Sequence, residues 1–278
     1  LFDTVALFSL TLFAAQAPAA TVTDPGDSGA NTLRGVIGTV TTSGETITFA
    51  PSVSTVNLDP ANGVIGIPEQ NLSISGNKAN GLSPLVDIGA IRAALPALSQ
   101  NSSPQEIKDW AERLTAGTDA AINGLRSNSS LTLIDGGSLP GTPRTDPIFL
   151  NTNNAGSSLS IANLHFKNAN RTQSSNLNGG GLLSAYSTGA NRDATLGSIR
   201  SGFFDSLTIT VTGSSDLNGG GVIGAYTFHS SSSSSSIGDV RDSLFSDITV
   251  EGGSFIQGGG MLGHTPSAPP PPPPLSAM

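Results

Sequence analysis

Leu177-Asn178-Gly179-Gly180-Gly181-Leu182-Leu183 returns as Leu217-Asn218-Gly219-Gly220-Gly221-Val222-Ile223-Gly224, and again as Ile256-Gln257-Gly258-Gly259-Gly260-Met261-Leu262-Gly263. An apolar residue, an amide, three glycines and an apolar pair thus recur about 40 residues apart, the mark of a repeat architecture. A second element keeps the same register. Gly197-Ser198-Ile199-Arg200 returns as Gly238-Asp239-Val240-Arg241, and Phe204 with Leu207-Thr208-Ile209 returns as Phe245 with Ile248-Thr249-Val250. Helix pairs are excluded, because the repeat is dense in Gly, Ser and Thr and alternates with period two. A propeller blade needs about four strands per repeat, and only two or three are evident. Two stacked coils of roughly 20 residues per repeat are therefore expected, with glycine runs at the corners, where φ > 0 and close backbone approach are required.

A solenoid grows by stacking, so the 278 residues need not divide into ordinary domains. Charged residues are only 12% of the chain, so the surface is coated with neutral polar groups, while 36% apolar residues in alternating runs supply a core. Twelve Lys and Arg against twenty Asp and Glu give a net charge of −8 with no basic cluster, which argues against nucleic-acid binding. The chain has no cysteine, which excludes disulfides and thiolate metal sites and fits passage through an oxidising compartment.

The first residue is Leu1, so the start reads as truncated. Val5 to Ala15 is an apolar run of signal-peptide length, followed by Gln16-Ala17-Pro18-Ala19-Ala20, small residues suited to cleavage. Residues 1–20 are read as a partial signal peptide, and residues 21–267 as the solenoid. Next comes a short strand, then an Asp/Gly/Ser turn, then a helical turn with Leu33, Val36 and Ile37 on one face. Alternating strands follow at Thr46–Phe49, Thr55–Leu58, Leu72–Gly76, Leu131–Gly137 and Leu159–Phe166.

Residues 91–126 interrupt this pattern. Ser103-Pro104-Gln105-Glu106 is a capping box with proline at the first helical position, and Ile107, Trp110, Ala111 and Leu114 follow at helical spacing. A second short helix is expected from Asp119 to about Leu125. This insertion reads as a lid on the flank of the solenoid, or as a binding face. Ser230 to Ser236 reads as a solvated loop. Residues 268–278 contain Pro269 to Pro274, a polyproline II spacer.

Chemistry has few candidates. Acidic-glycan enzymes need either a carboxylate cluster that binds calcium beside a basic residue, or paired carboxylates. Asp205 near Arg200, and Asp239, Asp242 and Asp247 near Arg241, are the candidates. Their recurrence favours a stacking ladder or solvated face, because an active site is built once. His165, His229 and His264 lack metal-ligand spacing. The glycine runs are not phosphate loops, because no Lys-Ser/Thr and no helix follows. No nucleophile motif is present. No catalytic, cofactor-binding or metal residue is therefore assigned, and no cofactor is expected.

Asn31-Thr32-Leu33-Arg34-Gly35-Val36-Ile37 resembles the D-x-G-x-x-S-L-R-x-A-I entry cap of right-handed parallel β-helix proteins, with Thr32 in place of Ser. The strings around Leu72–Gly76 and Leu159–Phe166 are similar to those of pectate-lyase-type β-helices. With the signal-like start, the glycine repeats and the proline spacer, residues 21–263 resemble the passenger region of bacterial autotransporters. The glycine-run and phenylalanine-strand pair also looks like the repeats of polymorphic outer-membrane proteins, although neither Phe204 nor Phe245 has Asn three residues on. The resemblance implies an all-β fold, a right-handed single-stranded parallel β-helix with a small helical insertion, in eight to ten coils about 40 to 50 Å long at ~4.8 Å per coil. It implies export through the inner membrane to the cell surface, outer membrane or extracellular space, and adhesion to host or neighbouring-cell glycans or proteins. The family's outer-membrane translocator barrel is missing from this chain. The alternatives are a polysaccharide lyase or hydrolase of the same fold, or a glycan binder without turnover.

Overall fold

The computed structural model describes residues 19–68, 70–77, 85–128, 131–137, 143–152, 157–187, 193–227, 233–252, 255–257 and 261–264. The expected signal segment up to residue 18, the proline spacer, Gly258 to Gly260, His229 and the first residues of the serine tract lie outside them.

Strands in four parallel sheets are the main regular structure of the described residues. The first runs Ala20–Val22, Glu45–Phe49, Asn71–Ser75, Ser158–Ala162 and Ala194–Arg200, and ends on Ser235–Ile237 with Val240–Arg241. The second holds Thr55–Asn57, Thr132–Asp135, Leu164–Lys167, Arg171–Gln173, Phe203–Val211 and Leu244–Glu251. Ile65–Gly66, Phe149–Thr152, Leu183–Ser187, Ile223–Thr227 and Met261–His264 make the third, and Leu177–Asn178, Asp216–Asn218 and Phe255–Gln257 the fourth. Chain order visits the sheets in turn, and each visit pairs with the strand laid down one circuit earlier.

Register corrects one expectation. Leu177 pairs with Leu217 and Leu217 with Ile256, while Phe204 pairs with Phe245. The 40-residue repeat is therefore one circuit, not two coils. Its β-rich segments lie in different sheets of the same layer. The first sheet is six strands deep along its path, five steps of ~4.8 Å or about 24 Å, shorter than the sequence implied. Ser235 and Ser236 are also strand residues, paired with Ala194 and Thr195, so only part of the serine tract can be loop.

Recurrence in register converts sequence identity into ladders. Phe166, Phe204 and Phe245 stack through the interior with ring centroids 5.1 and 4.8 Å apart and planes within 10°. Each such pair contributes about 0.5–1.5 kcal/mol beyond burial. The phenylalanine segment is bounded by left-handed residues at matching positions, Asn163, Ser201 and Asp242 before it and Asn168, Ser206 and Asp247 after it, with φ between 49° and 57°. Short polar side chains are the L-residues that adopt this conformation at least cost. Asp242 and Asp247 are thus corner residues, which accounts for their recurrence with Ser201 and Ser206 without catalysis.

The first helix, α1 (Leu33–Thr39), buries Leu33, Val36 and Ile37 as the apolar spacing predicts, and Thr32 Oγ1 caps it by accepting from Gly35 N. The insertion leaves between strands Asn71–Ser75 and Thr132–Asp135. It holds α2 (Ile88–Ala93) and α3 (Pro104–Asn128), so its helices begin before residue 91 and run past 126. The separate helix expected from Asp119 is the continuation of α3. The capping box forms: Ser103 N donates to Glu106 Oε2 at 2.7 Å and Glu106 N to Ser103 Oγ at 3.2 Å. Near the C-terminal end of α3, Leu125 packs with Leu85, Leu131 and Phe203 on the stack. Among the described residues no helix is long and apolar enough to cross a membrane.

Candidate functional site

Of the carboxylates singled out by the sequence, Asp205 and Asp247 meet on Arg126, and Asp239 lies apart with Arg241. Arg200 is exposed and lies in register with Arg241 in the first sheet, away from Asp205. Asp239 holds Arg241 at 2.7 Å with both side chains more than half exposed, a solvated pair that contributes little. Asp205 instead meets a residue 79 positions away. Arg126, in the last turn of α3, donates from Nε to Asp205 Oδ1 at 3.0 Å and from Nη2 to the same oxygen at 2.8 Å. Its Nη2 also reaches Ser246 Oγ at 3.0 Å and the Asp247 carboxylate. An Arg near a helix C-terminus ordinarily reads as complementing the helix dipole, so no sequence signal marked it.

Asp205 is fully buried, and Ser206 Oγ donates to its Oδ1 at 3.1 Å. Burial acts to raise the Asp205 pKa, but the Arg126 hydrogen bonds and charge, with Ser206, outweigh it and hold the carboxyl below its usual range. The Asp205 hydrogen bonds raise the Arg126 pKa in turn. His165 lies alongside, its ring stacked on Phe203 with centroids 4.3 Å apart. Its Nε2 is 3.6 Å from Asp205 Oδ2, too long for a hydrogen bond, so the contact is electrostatic only. No substrate atom can reach a carboxylate enclosed in this way. The cluster is a clamp that fixes the insertion to the strand stack.

Burial pushes the His165 pKa down to about 4. In the unfolded chain an imidazole titrates near ~6.5, so between these values the unfolded state holds a proton that the folded state lacks. Stability is therefore lost as pH falls from about 6.5 to 4, on the order of 3 kcal/mol in all. Asp205 acts in the same direction, because its lowered pKa contributes stability that disappears on acidification through that pKa. His165→Phe, which preserves the stack on Phe203, is expected to flatten the slope between pH 6.5 and 4.5. Urea unfolding at those two pH values measures it, and an unchanged slope would show that His165 is not the titrating group.

A second polar feature runs through the interior. Arg144 and Arg171 are bridged through their backbones in parallel. Arg144 donates to Gly63 O at 2.8 Å and Gly136 O at 3.1 Å, while Arg171 donates to Thr145 O at 3.0 Å and, at 3.4 to 3.5 Å, to Gly180 and Gly181 O. Arg34 does the same one circuit earlier, donating to Val64 O at 2.7 Å and Gly63 O at 3.0 Å while Asp27 takes its other face. Burial lowers the pKa of Arg144 and brings that of Arg171 to about 10. Both groups stay cationic at neutral pH, with most of their donors on main-chain carbonyls and Arg171 Nη2 on the Gln173 side chain.

Outside this column lies a groove. About 190 Å³ opens beside Tyr186, lined also by Asp146, Pro147, Leu150, Asn176, Asn178 and Ser184. It shares Asp146, Arg171 and Gln173 with a second concavity of about 530 Å³ that reaches Thr172 and Thr212. Tyr186 stacks on Tyr226 with centroids 6.0 Å apart. Asn178 Nδ2 donates to the Tyr186 hydroxyl, and Asn218 Nδ2 to Asn178 Oδ1, each at 3.2 Å. The amides before the first two glycine runs, Asn178 and Asn218, thus form a ladder that steadies the aromatic wall. A separate concavity of about 230 Å³ lies at the insertion, between Trp110, Leu98, Pro96 and Glu106.

Among the described residues no group of three or more His, Asp or Glu could hold a metal ion. Comparison with protein-family models, curated proteins and solved structures finds no match.

Proposed function

We propose that this chain is a right-handed parallel β-helix of the autotransporter-passenger kind, carried to the cell surface, where it acts by adhesion or surface interaction. The observation that carries the reading is an in-register parallel stack with an outer face rich in Ser, Thr and Asn and a concave wall of tyrosine and amides. In-register parallel strand pairs, with α1 burying Leu33, Val36 and Ile37 near the first strand, support this reading.

The test coats beads with the purified chain and measures their attachment to host-type and bacterial cells against albumin-coated beads. Protease treatment of intact producing cells then reads surface exposure. Saturable attachment, with the chain shaved from intact cells, is expected. Attachment no better than albumin, or a chain protected inside the cell, would overturn the proposal.

A further inference from the structure

The geometry points to the Tyr186 groove as a binding site for a neutral oligosaccharide, an inference that rests on the surface-interaction reading and names its ligand class. Three properties of the groove carry it. The first is an aromatic wall. Tyr186 is only part-buried, held by its stack on Tyr226 and by the hydrogen bond from Asn178 to its hydroxyl. A ring fixed in this way offers an apolar face to the C–H face of a pyranose without further ordering cost.

The second is a set of preoriented polar groups. Asn176 Oδ1 accepts from Asp216 N at 2.8 Å, which leaves its Nδ2 as the donor that the groove offers. Gln173 is locked by Arg171 on one side and by Asn176 O at 2.6 Å on the other, so the wall around Asn176 is rigid. Asp146 is exposed, and its carboxylate accepts from Thr145 Oγ1 at 3.3 Å. Hydroxyl groups of a sugar donate to such a carboxylate and accept from such an amide.

The third is charge. Arg171 lines the groove, but its Nε and Nη1 donate to the carbonyls of Thr145, Gly180 and Gly181, and its Nη2 to Gln173. The Arg171 cation therefore stays buried with four of its five N–H groups on protein acceptors, and the exposed charge that a sugar carboxylate meets first is Asp146. The arrangement selects against the polyuronates that a lyase of this fold would take. Its lining crosses from Asp146 through Arg171 to Thr212 in successive circuits, roughly 10 Å at the strand spacing. That run suits a short oligosaccharide better than a monosaccharide.

The test uses the full chain in titration calorimetry with neutral gluco-, manno- and galacto-oligosaccharides and with oligogalacturonate. Saturable binding of at least one neutral oligosaccharide is expected, with oligogalacturonate at least tenfold weaker. Tyr186→Ala should weaken binding tenfold or more, while Trp110→Ala, in the other concavity, leaves it unchanged. Asp146→Asn should narrow the gap between neutral and acidic glycans. Circular dichroism melts of each variant separate lost binding from lost fold, and if Tyr186→Ala unfolds, Tyr186→Phe with Asn176→Ala probes the same wall. Preferential binding of oligogalacturonate overturns the inference, as does loss of binding in Trp110→Ala alone. Bead attachment to cells without any glycan binding overturns it too, while leaving the adhesion reading standing. Glycan binding without attachment supports the site and counts against adhesion.

Discussion

Gly219→Val is expected to destabilise the chain by about 3–5 kcal/mol, a large part of the ~5–15 kcal/mol that holds a typical domain folded. Two independent costs combine. Gly219 has φ +110°, a conformation that L-residues rarely adopt and β-branched ones least. A Cβ there would also lie 2.8 Å from Gly179 O and 3.1 Å from Gly179 Cα, backbone atoms of the circuit beneath, so no rotamer change relieves the contact. Gly213→Asn separates the two effects, because Gly213 has φ +72° but nothing within 4 Å of its Cβ, and Asn tolerates that φ. Urea unfolding followed by circular dichroism should show a large loss for Gly219→Val and under ~1 kcal/mol for Gly213→Asn. Equal effects would mean that close approach between circuits is not what the glycine run serves. Gly258, the equivalent in the last repeat, lies outside the described residues.

Arg126→Met should cost about 3–5 kcal/mol, because it strands the fully buried Asp205 carboxylate without its cation. Ser206, with one hydroxyl, and His165, beyond hydrogen-bond distance and neutral, do not replace the two-nitrogen contact. Without Arg126, burial dominates and the Asp205 pKa rises. The double variant Arg126→Met with Asp205→Leu should recover most of the loss, since burying no charge is less costly than burying one unpaired. Release of the clamp should also expose the insertion, so limited proteolysis in residues 94–103 should quicken in Arg126→Met. Melting and proteolysis like the parent would show that Leu125, Leu131 and Phe203 hold α3 by themselves.

What was legible in the sequence was local or periodic. Recurrence at a fixed interval marks a stacked repeat, and the structure pairs Leu177 directly with Leu217 and Phe204 with Phe245, one circuit apart where two coils were expected. The capping box at Ser103 and the apolar face of α1 depend on residues a few positions apart, and both formed as spacing demanded. The recurring aspartates were visible but not their reason. Asp242 and Asp247 occupy left-handed corners, and a backbone angle leaves no distinctive mark when Asn, Ser and Asp all satisfy it. The candidate groove was equally hidden, since Asp146, Asn176 and Tyr186 belong to no shared motif and meet only because successive circuits bring them together.

The three glycine runs show where each source of information decides. Sequence alone determined that a unit recurs, that it is β-rich and that its corners need residues without a side chain, because period and composition are properties of the chain itself. Tertiary structure decided that one repeat is one circuit, that the corner carbonyls of Gly180 and Gly181 receive the buried Arg171, and that Arg126 crosses 79 residues to Asp205. A period states which residues are equivalent, not whether one repeat spans one circuit or two. It does not state how far around the circuit each segment lies, and the arginine column and the clamp depend on that placement.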